Sequence, residues 1–199
     1  EIPLRLVGSE MCIRDSYGKV TIIQGDPGEG KTTMVLQIIA KLTRGEPILP
    51  VTDKTKTKEK RSDEVDSENE DLDAEDNMQE QSSVSPVNVI YQTAEDGLGD
   101  TIKPRLLAAG ADCSKVLVID DSDQPLTMAD VRLEEAIVQT KAKMVVLDPI
   151  QGFLGADVDM HRANEIRPLM KRIAVLSEKY HCAVILIAVS YTHLRAHET

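Results

Sequence analysis

Apolar residues along this chain follow two alternating periods. Short runs at 20–23, 87–92, 116–119, 144–147 and 183–188 are rich in Val, Ile and Leu and read as strands. Between them the period lengthens toward 3.6. A helix is expected over 32–42, with Met34, Val35, Ile38, Ile39 and Leu42 on one face, and another over 101–109. A third is expected to about Gln139, with Val131, Ala136, Ile137 and Val138 among its apolar positions, and a fourth to about Tyr180, with Ile166, Leu169, Met170, Ile173 and Leu176 inward. Punctuation fits this scheme: Gly45 and Pro47 end the first helix and Gly110 stops the second. Asp100 and Asn164 read as N-caps, and Thr127 with Asp130 as a capping pair. Pro104 and Pro168 then each fall at a fourth helical position, where a missing N–H costs no intrahelical bond. Strands alternating with helices predict an α/β fold, with a mainly parallel sheet covered by helices on both faces.

The stretch 51–86 interrupts this rhythm. It turns to Lys and Thr, then to Asp, Glu, Ser and Gln, with almost no large apolar residue. Such a composition does not offset its ordering entropy, so a disordered, solvated insertion is expected, with a regulatory tail as the lesser alternative. It holds 12 Asp and Glu against 5 Lys and Arg, so most of the chain's net charge of −11 is local. No Lys/Arg block exists for non-specific nucleic-acid binding, and any DNA contact must come from a few residues in a channel. With no Trp and a single Phe, Phe153, the core has to be aliphatic. At 199 residues the chain has material for one core. Cys12, Cys113 and Cys182 lack metal or C-x-x-C spacing and read as reduced thiols. The apolar run 183–189 is far short of a membrane span, and residues 1–16 lack the apolar stretch of a signal peptide, so a cytoplasmic protein without membrane contact is expected.

Candidate chemistry concentrates after the first strand. Gly25, Asp26, Pro27, Gly28, Glu29, Gly30, Lys31 and Thr32 fit the phosphate-loop pattern G-x-x-x-x-G-K-[ST] at every fixed position, between an apolar run and an amphipathic one. Glycines let backbone N–H groups fold around a phosphate chain, and the helix N-terminus adds the positive end of its dipole. The pattern predicts ATP bound with Mg²⁺: Lys31 toward the β- and γ-phosphates, Thr32 on the metal, and Thr33 toward the α-phosphate. Two further signals lie at strand ends, where ligands bind in parallel sheets. One is the acidic pair Glu95 and Asp96 after the second strand. The other is Asp148, delivered at the tip of an apolar strand as a metal-side carboxylate opposite Thr32. The loop 149–164 is long enough to be mobile or functional and carries Gly152, Phe153, Gly155, His161 and Arg162. His161 has no partners at metal-ligand spacing. Arg162 and Arg167 read either as phosphate or DNA contacts or as surface arginines at a helix start. Arg105 reads more readily as a packing or pairing residue than as a nucleotide contact.

The spacing of these pieces resembles the RecA-like ATPases, and more narrowly the AAA-type ATPases related to the plasmid replicative helicase RepA. The resemblance is carried by the phosphate loop, by 91–106 with its Glu-Asp pair and Pro104-Arg105-Leu106, by 145–154 around Asp148, and by 159–164 with Arg167. It covers 17–188 apart from the insertion. It implies a RecA-like core in which Glu95 is the catalytic carboxylate that polarises water and Asp148 is the Walker B acid, with Lys31, the loop N–H groups and Mg²⁺ expected to stabilise the charge of in-line attack. It also implies single-stranded DNA as a partner, ring or filament homo-oligomers, and a role in DNA replication, recombination or repair. A RecA/RadA-type recombinase, a helicase loader and a nucleotide-gated assembly module with little turnover are alternatives. Related proteins end their last strand in a polar residue, commonly His, where this chain has Val189 followed by Ser190.

Residues 4–16 and 190–199 resemble peptides translated from sequencing-adapter DNA at the edges of assembled fragments. On that reading 1–16 and 189–199 are non-native, 17–188 is a C-terminally truncated ATPase domain with reduced turnover or none, and His193 and His197 carry no function.

Overall fold

The computed structural model describes residues 17–48, 85–156, 158–159 and 162–189. The adapter-like ends, nearly all of the acidic insertion and His161 lie outside the described residues. Five strands are described: β1 (Val20–Gly25), β2 (Val89–Thr93), β3 (Val116–Leu117), β4 (Met144–Asp148) and β5 (Ala183–Val189). They form one all-parallel sheet in the order β1-β5-β4-β2-β3. The helices are α1 (Lys31–Arg44), α2 (Lys103–Ala108), α3 (Val131–Thr140) and α4 (Ala163–Tyr180).

The strand order places the helices. From β1 to β2 to β3 the chain moves one way across the sheet, and from β3 to β4 to β5 it moves back. Right-handed crossovers require the two halves of such a path to lay their helices on opposite faces. Accordingly, α1 and α2 pack with Val89, Tyr91, Met144, Val146, Ile185 and Ile187. The other face joins α3 and α4 to Ile90, Val145, Leu147, Val184 and Leu186. Alternate strand residues thus feed two separate cores, which explains why β4 is buried at every position and reads as a continuous apolar run.

Several local expectations shift. The buried stripe of α1 is Val35, Leu36, Ile39, Ala40 and Leu42, while Met34 is 48% exposed, because the helix is rotated toward the small Ala40. Asp100 does not cap a helix: residues Leu98–Ile102 form a wide π turn whose N-cap is Gly97, and α2 follows with Pro104 at its second position. The wide turn sends the N–H groups of Ile102 and Lys103 back five residues, just before a proline that has none to offer. Asp130 alone caps α3, accepting from Arg132 N–H at 2.9 Å. Thr127 lies before the helix, which turns Leu133 and Ile137 inward and leaves Val131 and Val138 outside. Asn164 is inside α4, and Pro168 sits at its sixth position. The strand expected over 116–119 stops at Leu117, because the Gln92 side chain takes over the ladder: it donates to Ile119 O at 3.0 Å and accepts from Ile119 N–H at 3.1 Å.

The loop after β4 is anchored at its start. Residues Ile150–Phe153 form a 3₁₀ turn, and Ile150, Phe153 and Leu154 are buried in the α3–α4 core. Gly45, Gly110 and His181 end α1, α2 and α4 in the left-handed region, each followed by a residue whose N–H reaches back five positions. No helix among the described residues is long and apolar enough to cross a membrane.

Candidate functional site

The site is built at the carboxyl ends of β1, β2, β4 and β5. Between β1 and α1 the backbone turns through Gly28 and Gly30, whose φ values of 83° and 81° lie where a side chain would be strained. Gly30 is the N-cap of α1, no side chain caps it, and no acid occupies the first turn. The positive end of the helix dipole therefore faces the loop without a compensating charge in that turn. Lys31 Nζ donates to Gly25 O at 2.9 Å and to Asp26 O at 2.6 Å, which holds the ammonium against the loop. The Glu29 carboxylate accepts from Asp26 N–H at 2.9 Å and presses on Gly25, where any Cβ would collide with it.

The neighbouring threonine reaches across the sheet. Thr32 Oγ1 donates to Asp148 Oδ2 at 2.7 Å. Asp148 closes β4 and is only 8% exposed. A third group, absent from the sequence-based assignment, completes this contact: the Tyr91 hydroxyl donates to the same Asp148 oxygen at 2.8 Å. The Tyr91 ring is fully buried in β2. Burial first, then the Asp148 charge and hydrogen bond, raise the Tyr91 pKa far above the usual phenol range, so the hydroxyl stays a donor.

Across the site, β2 ends at Thr93, whose Oγ1 accepts from the N–H groups of Glu95 at 3.4 Å and Asp96 at 3.1 Å. Ala94 N–H donates to Asp148 O at 3.1 Å, tying the two strand ends together. Gly152 lies so close to Ala94 that a Cβ there would overlap the alanine methyl, which accounts for a glycine in the first turn after β4. Arg105 enters from α2, donating to Thr33 Oγ1 at 2.9 Å, and its Nη1 lies 3.7 Å from Asp96 Oδ2.

Together these elements enclose a cavity of about 280 Å³, lined by Lys31, Thr32, Thr33, Glu95, Arg105 and Asp148. Ile187 and Val189 of β5 add apolar wall, and Gln151 Nε2 donates to Val189 O at 3.1 Å. The fold thus brings together the phosphate loop and both strand-end acids. Arg105, read from the sequence as a packing or pairing residue, is paired with Asp96 and Thr33 and also lines the cavity. Arg162 does not line it; it is 67% exposed and pairs with Asp159 at 3.4 Å and Glu165 at 3.2 Å. Arg167 is exposed on α4, also outside the cavity wall. No group of three or more His, Cys, Asp or Glu among the described residues is placed to hold a metal. Thr32 and Asp148 still offer two adjoining hard oxygen donors, the chemistry suited to Mg²⁺.

A larger groove of about 450 Å³ lies between α3 and α4, lined by Glu134, Lys171, Arg172, Val175, Leu176 and Lys179. It is on the sheet face opposite α1, and Glu134 there is already bonded by Lys179 at 2.9 Å and Tyr180 at 2.6 Å.

No curated protein matches the chain. Among solved structures, it is similar to a KaiC-like protein of the hyperthermophilic archaeon Pyrococcus horikoshii OT3, with a TM-score of 0.52 and 14% identity. The likeness covers 89% of this chain and 66% of that one, just under two thirds of its length. At that identity it shows the fold alone: a RecA-like P-loop nucleotide-triphosphatase architecture. A family described as "AAA domain" matches residues 73–189, beginning after the phosphate loop, whose assignment therefore rests on its own sequence and geometry. With more than half of its residues matched, the chain belongs to the AAA domain family.

Proposed function

We propose that residues 17–188 form an ATPase domain that binds ATP with Mg²⁺ and hydrolyses its γ-phosphate. The observation that carries this reading is the 2.7 Å contact of Thr32 with Asp148, on the wall of one cavity with Lys31 and Glu95. Loop N–H groups and the α1 dipole receive the phosphates, and Lys31 exchanges its carbonyl partners for the β- and γ-phosphate oxygens. Thr33 and Arg105 lie toward the α-phosphate side. Thr32, and Asp148 largely through water, would hold Mg²⁺, whose chemistry there would be to neutralise phosphate charge. Glu95 orients the attacking water and accepts its proton, while Lys31 and the loop N–H groups stabilise the charge that develops in line.

The resemblance to RepA-related ATPases extends the proposal to DNA replication, recombination or repair in the cytoplasm, with single-stranded DNA as partner and subunits in a ring or filament. Arg162 and Arg167 are exposed and outside the cavity, so they are offered as DNA contacts rather than phosphate sensors. A helicase, a recombinase and a loader share this core. A nucleotide-gated module with little turnover is the second reading, favoured by the apolar Val189 lining the cavity at the end of β5.

The test is ATP turnover with and without single-stranded DNA, in the unmodified chain and in Glu95→Gln. Turnover that DNA raises and Glu95→Gln removes, with ATP affinity kept, supports a DNA-coupled enzyme. Binding with no turnover in either chain supports the module, and turnover indifferent to Glu95→Gln contradicts the assigned role.

A further inference from the structure

The Tyr91 hydroxyl is a buried polar group beside this site that the phosphate-loop chemistry does not use. It comes from a ring with no exposed surface, packed among Val89, Val146 and the α1 residues of one core. A phenylalanine would fill that space, so packing does not account for the hydroxyl. Its hydrogen bond ends on Asp148 Oδ2, the same oxygen that accepts from Thr32. Strand register makes this contact specific. Thr93 pairs with Asp148 across β2 and β4, so Tyr91 stands two residues back on the same strand face and reaches forward to the carboxylate.

We propose that Tyr91 is a positioning residue for divalent-cation binding, acting through Asp148. Two donors on Oδ2 fix the rotation of the carboxylate and leave Oδ1, which accepts no hydrogen bond among the described residues, as the oxygen presented to the cation and its water. Without the hydroxyl, Thr32 alone holds Oδ2, and Thr32 is itself a ligand of the same cation. The cost of turning Thr32 toward the metal then falls on an Asp148 that has lost its other anchor. Partners of this kind, one shell outside a metal, set affinity by about 10–100-fold when removed.

This inference rests on the proposed Mg²⁺–nucleotide site, and the experiment separates the two. The affinity of a fluorescent ADP analogue is measured against Mg²⁺ concentration in the unmodified chain, Tyr91→Phe, Asp148→Asn and the double variant, with thermal melting of each. We expect the Mg²⁺ midpoint to rise about tenfold in Tyr91→Phe. Affinity in EDTA stays unchanged, and Tyr91→Phe adds nothing in the Asp148→Asn background. An unchanged midpoint in Tyr91→Phe, or an equal shift in both backgrounds, overturns the inference while leaving the nucleotide site intact. An unmodified chain whose ADP affinity ignores Mg²⁺ overturns the underlying site instead.

If Tyr91→Phe does not fold, the unmodified chain with ¹³Cζ-labelled tyrosine gives the answer. The Tyr91 resonance moves when Mg²⁺ joins bound nucleotide, and a resonance that stays still contradicts the proposal. Assignment uses Tyr17→Phe, Tyr180→Phe and Tyr191→Phe.

Discussion

The two walls of the cavity are held by different means. On the β4 side Thr32, Tyr91 and Asp148 form a closed set of short hydrogen bonds around a carboxylate that is 8% exposed. On the β2 side Glu95 and Asp96 sit on an exposed turn, held by the Thr93 hydroxyl and by Arg105 at 3.7 Å. A buried carboxylate with one oxygen held by two donors suits a group that must keep one position through a reaction, because low dielectric strengthens each bond it makes. An exposed turn suits a group that meets water and alters its contacts when nucleotide arrives. On the proposed function, the first wall sets binding geometry and the second carries turnover.

Breaking the turnover wall has the largest expected effect. Glu95→Gln lowers ATP hydrolysis by about 100-fold or more, the usual weight of a positioned base, while ADP affinity stays within about threefold. Steady-state turnover alongside a binding titration checks both halves. The seam between the walls comes next. Gly152→Ala forces its methyl onto that of Ala94, and overpacking of this kind costs ~1–3 kcal/mol, lowering the melting temperature by several degrees. Calorimetry reads it, and an unchanged melting point contradicts the close approach of the two strand-end loops. The smallest effect is expected at Arg105. Its ion pair is well exposed and contributes little, so Arg105→Ala weakens nucleotide binding by about threefold through the freed Thr33 hydroxyl and leaves stability nearly unchanged.

What was legible in the sequence follows the same division. The phosphate-loop pattern is legible because its chemistry demands fixed residues at fixed spacing, and the strand-end placement of Asp148 because a fully buried strand carries an uninterrupted apolar run up to one acid. Sheet and helix faces followed from periodicity only in part: α1 turns Met34 outward and Leu36 inward, and α3 leaves Val131 and Val138 outside, since a stripe of four or five apolar residues leaves the rotation open. Tyr91 was hidden because its role depends on which residue of β2 lies beside Asp148, and register between strands more than 50 residues apart is not written in either one. The pairing of Arg105 was legible, but its place on the cavity wall was not, because that depends on how α2 follows the wide turn at Leu98–Ile102, which no local spacing rule announces. Gln92 extends the sheet with a side chain, so the 116–119 run looked like a longer strand than its backbone forms.

The most direct test of the whole account is the Mg²⁺-dependent affinity for ATP of the unmodified chain against Lys31→Ala. The account predicts tight binding that falls by about 30–100-fold in Lys31→Ala, the equivalent of ~2–3 kcal/mol for a lost charge-assisted contact. Equal affinity in the two chains, or no ATP binding by a folded unmodified chain, would contradict it.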